Sequence, residues 1–156
     1  MGNLLTLSRP GEALPPFPPV THVAEGPGYL PLSTIYDAIA NIPAGTPDHD
    51  VENALHRGAS NIRAPYSPHS LARTITCGGG EGNYHPSGRR GFTNRELACL
   101  QTFPLSYEFA GKGVRTQIGN AVPPLLARAM YQSIIKSLRE TDERELAEEN
   151  QRHTMP

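Results

Sequence analysis

The sequence predicts a loop-rich α+β chain whose regular structure is concentrated in the second half. Sixteen prolines and fifteen glycines among 156 residues exceed average usage, so much of the chain is expected to be loop. Thr93 precedes Glu96 by three residues, which forms a capping box for a helix that ends at Pro104. Further along, apolar residues recur at helical spacing, at Leu126, Met130, Ile134 and Leu138.

The first half of the chain offers weaker signals. Residues 1–31 are rich in proline and predict an extended lead-in with little regular structure. Ser33 is a candidate cap for a short helix in TIYDAIANI, and a second short helix is expected from Asp50 to Arg57. The segment LARTITC, residues 71–77, alternates in the manner of a β-strand.

The segment QIGNAVPPLLARAM, residues 117–130, predicts a rigid turn leading into the last helix. Gly119 and Asn120 enter unusual φ/ψ regions most easily, and Pro123 and Pro124 suit a first helical turn because they have no amide hydrogen. The apolar face of the helix is expected to lie against a core. Beyond Leu138 the sequence becomes polar, so we expect a helix that frays into a disordered tail.

The net charge of −1 conceals an uneven distribution. Residues 57–115 carry eight basic and three acidic side chains, a net charge of +5, whereas residues 1–56 carry one basic and six acidic side chains, a net charge of −5. A basic segment rich in Gly, Ser, Thr and Asn is typical of a phosphate-contacting surface. On charge alone, an ordinary solvated loop explains the cluster better.

Other chemistries find little support in the sequence. Its histidines and cysteines lack the close pairs typical of zinc sites, so no metal site is predicted. Cys99 is expected to be a small buried residue within a helix, and Cys77 has no histidine at a suggestive spacing, so neither is a convincing nucleophile. No stretch is apolar and long enough to span a membrane.

Three segments occur in an order that resembles the C-terminal third of DNA cytosine-5 methyltransferases: RTIT, then HPSGRRGFTNRELACLQTFP, then QIGNAVPPLLARAMY. They match the end of the family's target-recognition domain and its last two ordered motifs. Within the family, the motifs most resemble those of the fungal branch. The resemblance implies a Rossmann-like α/β fold for the whole enzyme, of which this chain alone would be an α+β fragment. It also implies DNA as partner, S-adenosylmethionine as cofactor and a nuclear location.

The resemblance divides the chain into four regions. These are a proline-rich lead-in (1–31), a target-recognition-like region (32–92), the last two methyltransferase motifs with the C-terminal helix (93–139) and a charged tail (140–156). It implicates Asn120 and Val122 in closing over S-adenosylmethionine. The candidates for DNA contacts are Arg73, Thr74, Thr76, Arg89, Arg90 and Arg95. Arg95 lies within the capped helix, where its side chain could pair with a carboxylate instead of contacting DNA. The sequence offers no such alternative for Arg89 and Arg90.

The family's catalytic motifs are missing from this sequence. No proline precedes a cysteine, and Glu52-Asn53-Ala54 is only a partial echo of the family's Glu-Asn-Val motif. No catalytic residue is therefore predicted, and the chain is expected to be inactive alone. Three interpretations remain open: a fragment of a methyltransferase, one chain of a split enzyme whose partner carries the catalytic half, or a DNA-binding or regulatory pseudo-methyltransferase.

Overall fold

The computed structural model describes residues 14–77 and 84–154, which form two compact units. One unit comprises residues 21–125. The other contains the described residues 14–20 together with residues 126–154. The chain has a small α+β architecture, as the sequence predicts.

The larger unit contains a minimal sheet and four helices. Strands β1 (His22–Val23) and β2 (Leu30–Pro31) pair in parallel, with His22 opposite Leu30 and Val23 opposite Pro31. The four helices are α1 (Ile35–Ile39), α2 (Val51–Gly58), α3 (Asn94–Leu100) and α4 (Val114–Asn120). A fifth helix, α5 (Pro124–Thr154), begins in this unit and continues through the other.

The core of the larger unit lies where α1, α3 and α4 meet. Its buried members are Ile35, Phe92, Leu97, Ala98 and Ile118. Each fully buried aliphatic side chain of this size contributes about 1.5–3 kcal/mol relative to an exposed one. Because this core is small, the hydrogen bonds and ion pairs around it are also needed to fix how the helices pack.

Helix α1 is capped by Thr34, one residue later than the sequence analysis predicts. The Thr34 amide donates to the Asp37 carboxylate at 2.8 Å, and the Asp37 amide donates to the Thr34 hydroxyl at 3.3 Å. This reciprocal box needs an acidic or amide side chain three residues after the cap. Ser33 would place Tyr36 there, which explains why the prediction for Ser33 is wrong.

The remaining expectations for the first half have mixed outcomes. Helix α2 is confirmed, with Asp50 as its cap accepting a 2.9 Å hydrogen bond from the Asn53 amide. The strand expected over residues 71–77 is wrong, because residues 71–76 have no regular secondary structure and pair with no strand among the described residues. Of this segment, Ile75 packs against the core.

Helix α5 differs from the expected frayed tail, because it remains helical through Thr154. Its predicted apolar face is largely solvent-exposed: Leu126 is 51% exposed, Met130 39% and Leu138 54%, and only Ile134 of the predicted set is half-buried. Among the described residues no core covers this face, so the stripe forms an exposed apolar patch. None of the helices described here is long and apolar enough to cross a membrane.

Arg95 is the most completely buried charged residue in the described structure. Its side chain is inaccessible to solvent and donates to the carbonyl oxygens of Pro47 at 2.9 Å and Tyr107 at 3.0 Å, and to that of Leu105 at 3.3 Å. Asp48 supplies the nearest carboxylate oxygen, 3.8 Å from Nη2. One guanidinium group thus connects α3 to the segment before α2 and to the segment after α3.

We expect Arg95→Lys to lower the free energy of unfolding by about 3 kcal/mol, because a lysine cannot reach all of these carbonyl groups and leaves its own charge buried with fewer acceptors. Urea unfolding followed by circular dichroism measures the change. Arg57→Lys, at an exposed position of α2, is the matched control and should change stability by less than about 0.5 kcal/mol. Equal midpoints for the two variants would contradict the structural role assigned to Arg95.

Candidate functional site

The candidate site is built around helix α3 and its capping box. Thr93 accepts a hydrogen bond from the Glu96 amide at 3.1 Å, and the Thr93 amide donates to Glu96 Oε2 at 2.8 Å. The capping box predicted from the sequence is therefore confirmed. His49 Nδ1 lies 3.0 Å from the Thr93 hydroxyl, which connects the cap to the segment that precedes α2.

Glu96 has a second function that the sequence does not reveal. Arg90 approaches it with both terminal nitrogens, Nη1 at 2.7 Å from Oε2 and Nη2 at 2.8 Å from Oε1. Both side chains are buried, with 8% and 4% exposure. The bidentate geometry fixes the loop that carries Arg90 against the start of α3.

The charges around this ion pair determine its titration. Burial raises the pKa of Glu96, but the Arg90 hydrogen bonds, the Thr93 amide and the Arg90 charge outweigh burial and hold the pKa below its ordinary value of 4.5. The pKa of His85 is lowered from 6.5 by burial and by the charge of Arg90, against an opposing contribution from Glu96. Glu96 is therefore ionised at neutral pH.

The burial of Arg90 and Arg95 corrects two of the predicted DNA contacts. Arg90 does have an alternative partner, since its guanidinium group is paired with Glu96, and Arg95 is enclosed by backbone carbonyl groups. In this arrangement neither guanidinium group is available to a phosphate. Arg89, the neighbour of Arg90, is exposed.

The segment predicted to form a rigid turn is instead mostly helix. Gly119 and Asn120 are the last two residues of α4, and Gly119 does not adopt a positive φ. The prediction that they occupy unusual backbone conformations is therefore wrong. The change of direction follows at Ala121–Pro123, and α5 begins at Pro124, where the sequence analysis expects a helix to begin.

Two polar residues after α3 hold this turn, which we call the lip (residues 119–123). Gln101 Nε2 donates to the carbonyl oxygens of Ile118 at 3.3 Å and Ala121 at 2.9 Å. The hydroxyl of Thr102 accepts a 3.1 Å hydrogen bond from the Leu125 amide. The lip is thus supported from both sides by residues at the C-terminal end of α3.

The lip also meets Cys77, which belongs to the target-recognition-like region (32–92). The thiol of Cys77 donates to Asn120 Oδ1, with Sγ at 2.7 Å. A Cβ added to Gly119 would lie 2.5 Å from the Cys77 backbone nitrogen, so only glycine permits this approach. The glycine is required for close packing of two backbones rather than for a turn.

The other predicted site residues lie on the surface. Asn120 is exposed and Val122 is 59% exposed, so both lip residues are accessible. Arg73, Thr74 and Thr76 are exposed along the segment that leads to Cys77. Within the described ranges, no group of three His, Cys, Asp or Glu side chains is arranged to hold a metal ion.

Sequence reasoning missed Gln101 and Cys77 as parts of the site. The polar side chain of Gln101 follows the apolar positions Leu97 and Leu100, and such a placement is a signal that a buried partner is needed. No local pattern identifies Cys77, because its partner Asn120 lies 43 residues away along the chain.

We expect Glu96→Gln to lower the free energy of unfolding at pH 7 by about 3 kcal/mol, because it leaves the buried Arg90 charge unpaired. Since the folded-state pKa of Glu96 is depressed, its contribution to stability is fully present above pH 4.5 and is lost as the pH falls through the lower folded value. The difference between variant and wild type should therefore shrink in acid. Urea unfolding between pH 7 and pH 3 measures it, with Glu108→Gln as an exposed control; a pH-independent difference would contradict this assignment.

Comparison with known proteins identifies the family. The model described as C-5 cytosine-specific DNA methylase matches residues 34–136, which cover both α3 and the lip. Type II methyltransferase M.AquIB from Picosynechococcus sp. is 40% identical over 84 residues, which cover 46% of this chain and 60% of that protein. Type II methyltransferase M.BbvI from Brevibacillus brevis is 45% identical over 82 residues, which cover 50% of this chain and 22% of that protein.

A third relative, type II methyltransferase M.NgoFVII from Neisseria gonorrhoeae, is 48% identical over 68 residues, or 41% of this chain and 18% of that protein. The chain therefore spans less than two thirds of these curated relatives. No solved structure matches it. Because the family model extends over most of the chain and includes the capped helix and the lip, the chain belongs to the C-5 cytosine-specific DNA methylase family.

Proposed function

We propose that this chain is the C-terminal portion of a DNA cytosine-5 methyltransferase, which contributes target recognition and the lip that closes over the cofactor, and that it is inactive alone. The observation that carries the proposal is the contact of Cys77 with Asn120 and Gly119. It joins the target-recognition-like region directly to the lip. A DNA-facing element and a cofactor-facing element are thereby built as one body.

The proposed DNA surface consists of exposed polar and basic residues on the larger unit. Arg73 and Arg89 are the accessible arginines of the predicted set, and Thr74 and Thr76 lie beside Arg73. Arginine side chains bind phosphates through charge and paired donors, and threonine hydroxyl groups bind backbone phosphates by hydrogen bonds. Arg90 and Arg95 support this surface from within and do not belong to it.

The lip offers two groups that fit one end of S-adenosylmethionine. The exposed Asn120 presents an amide that donates hydrogen bonds, while its oxygen is engaged by Cys77, and Val122 presents an apolar surface. A cofactor that carries a charged amino-acid end on a short aliphatic chain suits this pairing. When bound, S-adenosylmethionine supplies the methyl group that is transferred to cytosine.

One comparison favours the split-enzyme interpretation as a second candidate. The segment shared with M.AquIB covers 60% of that methyltransferase, whereas a segment of nearly equal length covers only 22% of M.BbvI. M.AquIB is therefore itself a short chain. This observation supports a role for the present chain as one subunit whose partner carries the catalytic half.

The nuclear location stays a prediction. It follows from the fungal-type flavour of the motifs, whereas the three relatives described above are bacterial.

We expect Arg89→Ala to weaken binding to duplex DNA of any sequence and to reduce the slope of log affinity against log salt by about 0.9, as for the loss of one phosphate contact. Fluorescence anisotropy at several salt concentrations measures both quantities. Arg139→Ala, an exposed arginine of α5, is the matched control and should leave the slope unchanged. Identical slopes for wild type and Arg89→Ala would remove this loop from the DNA surface.

A further inference from the structure

A cavity of about 410 Å³ opens on the larger unit beside the proposed DNA surface. Its volume falls within the range of sites that bind small organic groups. Apolar side chains lie at its base, among them Ile35 and Phe92 from the core. Its polar lining comes from two arginines, two tyrosines and a serine, namely Arg63, Tyr66, Ser70, Arg73 and Tyr84.

The two aromatic rings of this cavity and the backbone that carries Arg63 are held in place by hydrogen bonds. The hydroxyl of Tyr84 donates to the carbonyl oxygen of Asn61 at 2.5 Å, and the hydroxyl of Tyr66 donates to the carbonyl oxygen of Tyr84. Arg63 donates its amide to the Gly88 carbonyl at 2.7 Å. Both rings are therefore fixed before any ligand arrives, which reduces the entropic cost of binding.

The close approach of two backbones adds to this rigidity. Gly88 has φ +73°, and a Cβ there would lie 2.1 Å from the Arg63 carbonyl oxygen. The Tyr66 amide donates to the Pro86 carbonyl at 3.0 Å. Residues 63–66 and 86–88 thus form one wall, with no space for a larger side chain between them.

The chemistry of the lining favours a planar aromatic ring attached to an anion. The Arg63 guanidinium group lies 4.5 Å from the centre of the Tyr84 ring, a stacked pair of the kind on which nucleobases stack. Arg73 lines the same cavity as Tyr66, and its positive charge opposes the rise in the pKa of Tyr66 that burial causes. None of the described lining residues is acidic.

We propose that this cavity binds an unpaired nucleotide of DNA, with the base among Arg63, Tyr66 and Tyr84 and its phosphate against Arg73. This nucleotide is distinct from the cytosine that the enzyme methylates. The inference rests on the proposed function, because the adjoining surface must hold a duplex for one of its nucleotides to reach the cavity. Stacking and charge together would let the protein recognise a distorted or opened base step next to its binding surface.

Duplexes that differ only at one position test the proposal. Fluorescence anisotropy compares a fully paired duplex, the same duplex with one bulged nucleotide and the same duplex with an abasic bulge. We expect wild-type protein to bind the nucleotide bulge about tenfold more tightly than the other two, since stacking of one base contributes about 1–3 kcal/mol. The abasic bulge controls for the flexibility that any bulge gives to DNA.

Two variants locate the effect. Ala72→Trp places an indole at an exposed lining position and should abolish the preference by filling the cavity, and Arg63→Ala should reduce it. Circular dichroism establishes that each variant is folded, and Ala72→Trp keeps the test valid if Arg63→Ala is not. Arg89→Ala, outside the lining, should weaken binding to all three duplexes by the same factor and retain the preference.

The outcomes separate this inference from the proposed function. Binding to all three duplexes with equal affinity, or equal affinity for the two bulges, would overturn the cavity assignment and leave the proposed DNA surface intact. Absence of binding to any duplex would overturn both. If millimolar adenosine monophosphate abolishes the preference for the nucleotide bulge, the cavity accepts a free nucleotide. If the preference is unchanged, the cavity requires a nucleotide within a DNA strand. Both results support the cavity assignment.

Discussion

The buried guanidinium group of Arg95 is the interaction on which the larger unit depends. The core contains few large apolar side chains, and helices α1, α3 and α4 are each at most seven residues long. Such helices are not stable by themselves and need tertiary contacts. Arg95 provides them by joining α3 to the carbonyl groups of Pro47, Leu105 and Tyr107, which lie on either side of it in sequence. Its charge is offset by aligned carbonyl dipoles and by Asp48.

Once α3 is fixed, its two ends position the two proposed functional surfaces. At the N-terminal end, Glu96 binds Arg90 and thereby orients the loop that presents Arg89. At the C-terminal end, Gln101 and Thr102 hold the lip. The same seven-residue helix therefore connects the proposed DNA surface to the proposed cofactor contact. The Cys77–Asn120 hydrogen bond is a second connection between them.

Local spacing predicts the caps of α2 and α3 and misplaces the cap of α1 by one residue, whereas contacts between residues distant in sequence leave no local pattern. The capping box of Thr93 and Glu96 and the cap of Asp50 depend on a spacing of three residues, so they are predictable. The partners of Arg95 include Pro47, 48 residues away, and those of Gly119 include Cys77, so no local pattern reports them. The alternation in residues 71–77 predicts a strand, but a strand also needs a neighbour with which to pair.

Helix α5 carries an apolar face that the described residues leave uncovered. Leu126 and Leu138 remain more than half exposed, whereas the predicted apolar stripe is typical of a packed face. An exposed apolar face of this kind fits the proposal that the chain associates with a catalytic half. It agrees with the absence of a Pro-Cys motif from the sequence.

The most direct test is transfer of the tritiated methyl group of S-adenosylmethionine to cytosine-containing duplex DNA. We expect no tritium to be incorporated into DNA with this chain alone, even at equimolar protein. Incorporation should begin once a chain carrying the Pro-Cys and Glu-Asn-Val motifs is added. DNA binding without label in the mixture would instead favour a pseudo-methyltransferase. Incorporation above background with this chain alone would contradict the proposal that the chain is inactive by itself. The covalent step would then proceed without the nucleophile that the proposed catalytic half supplies.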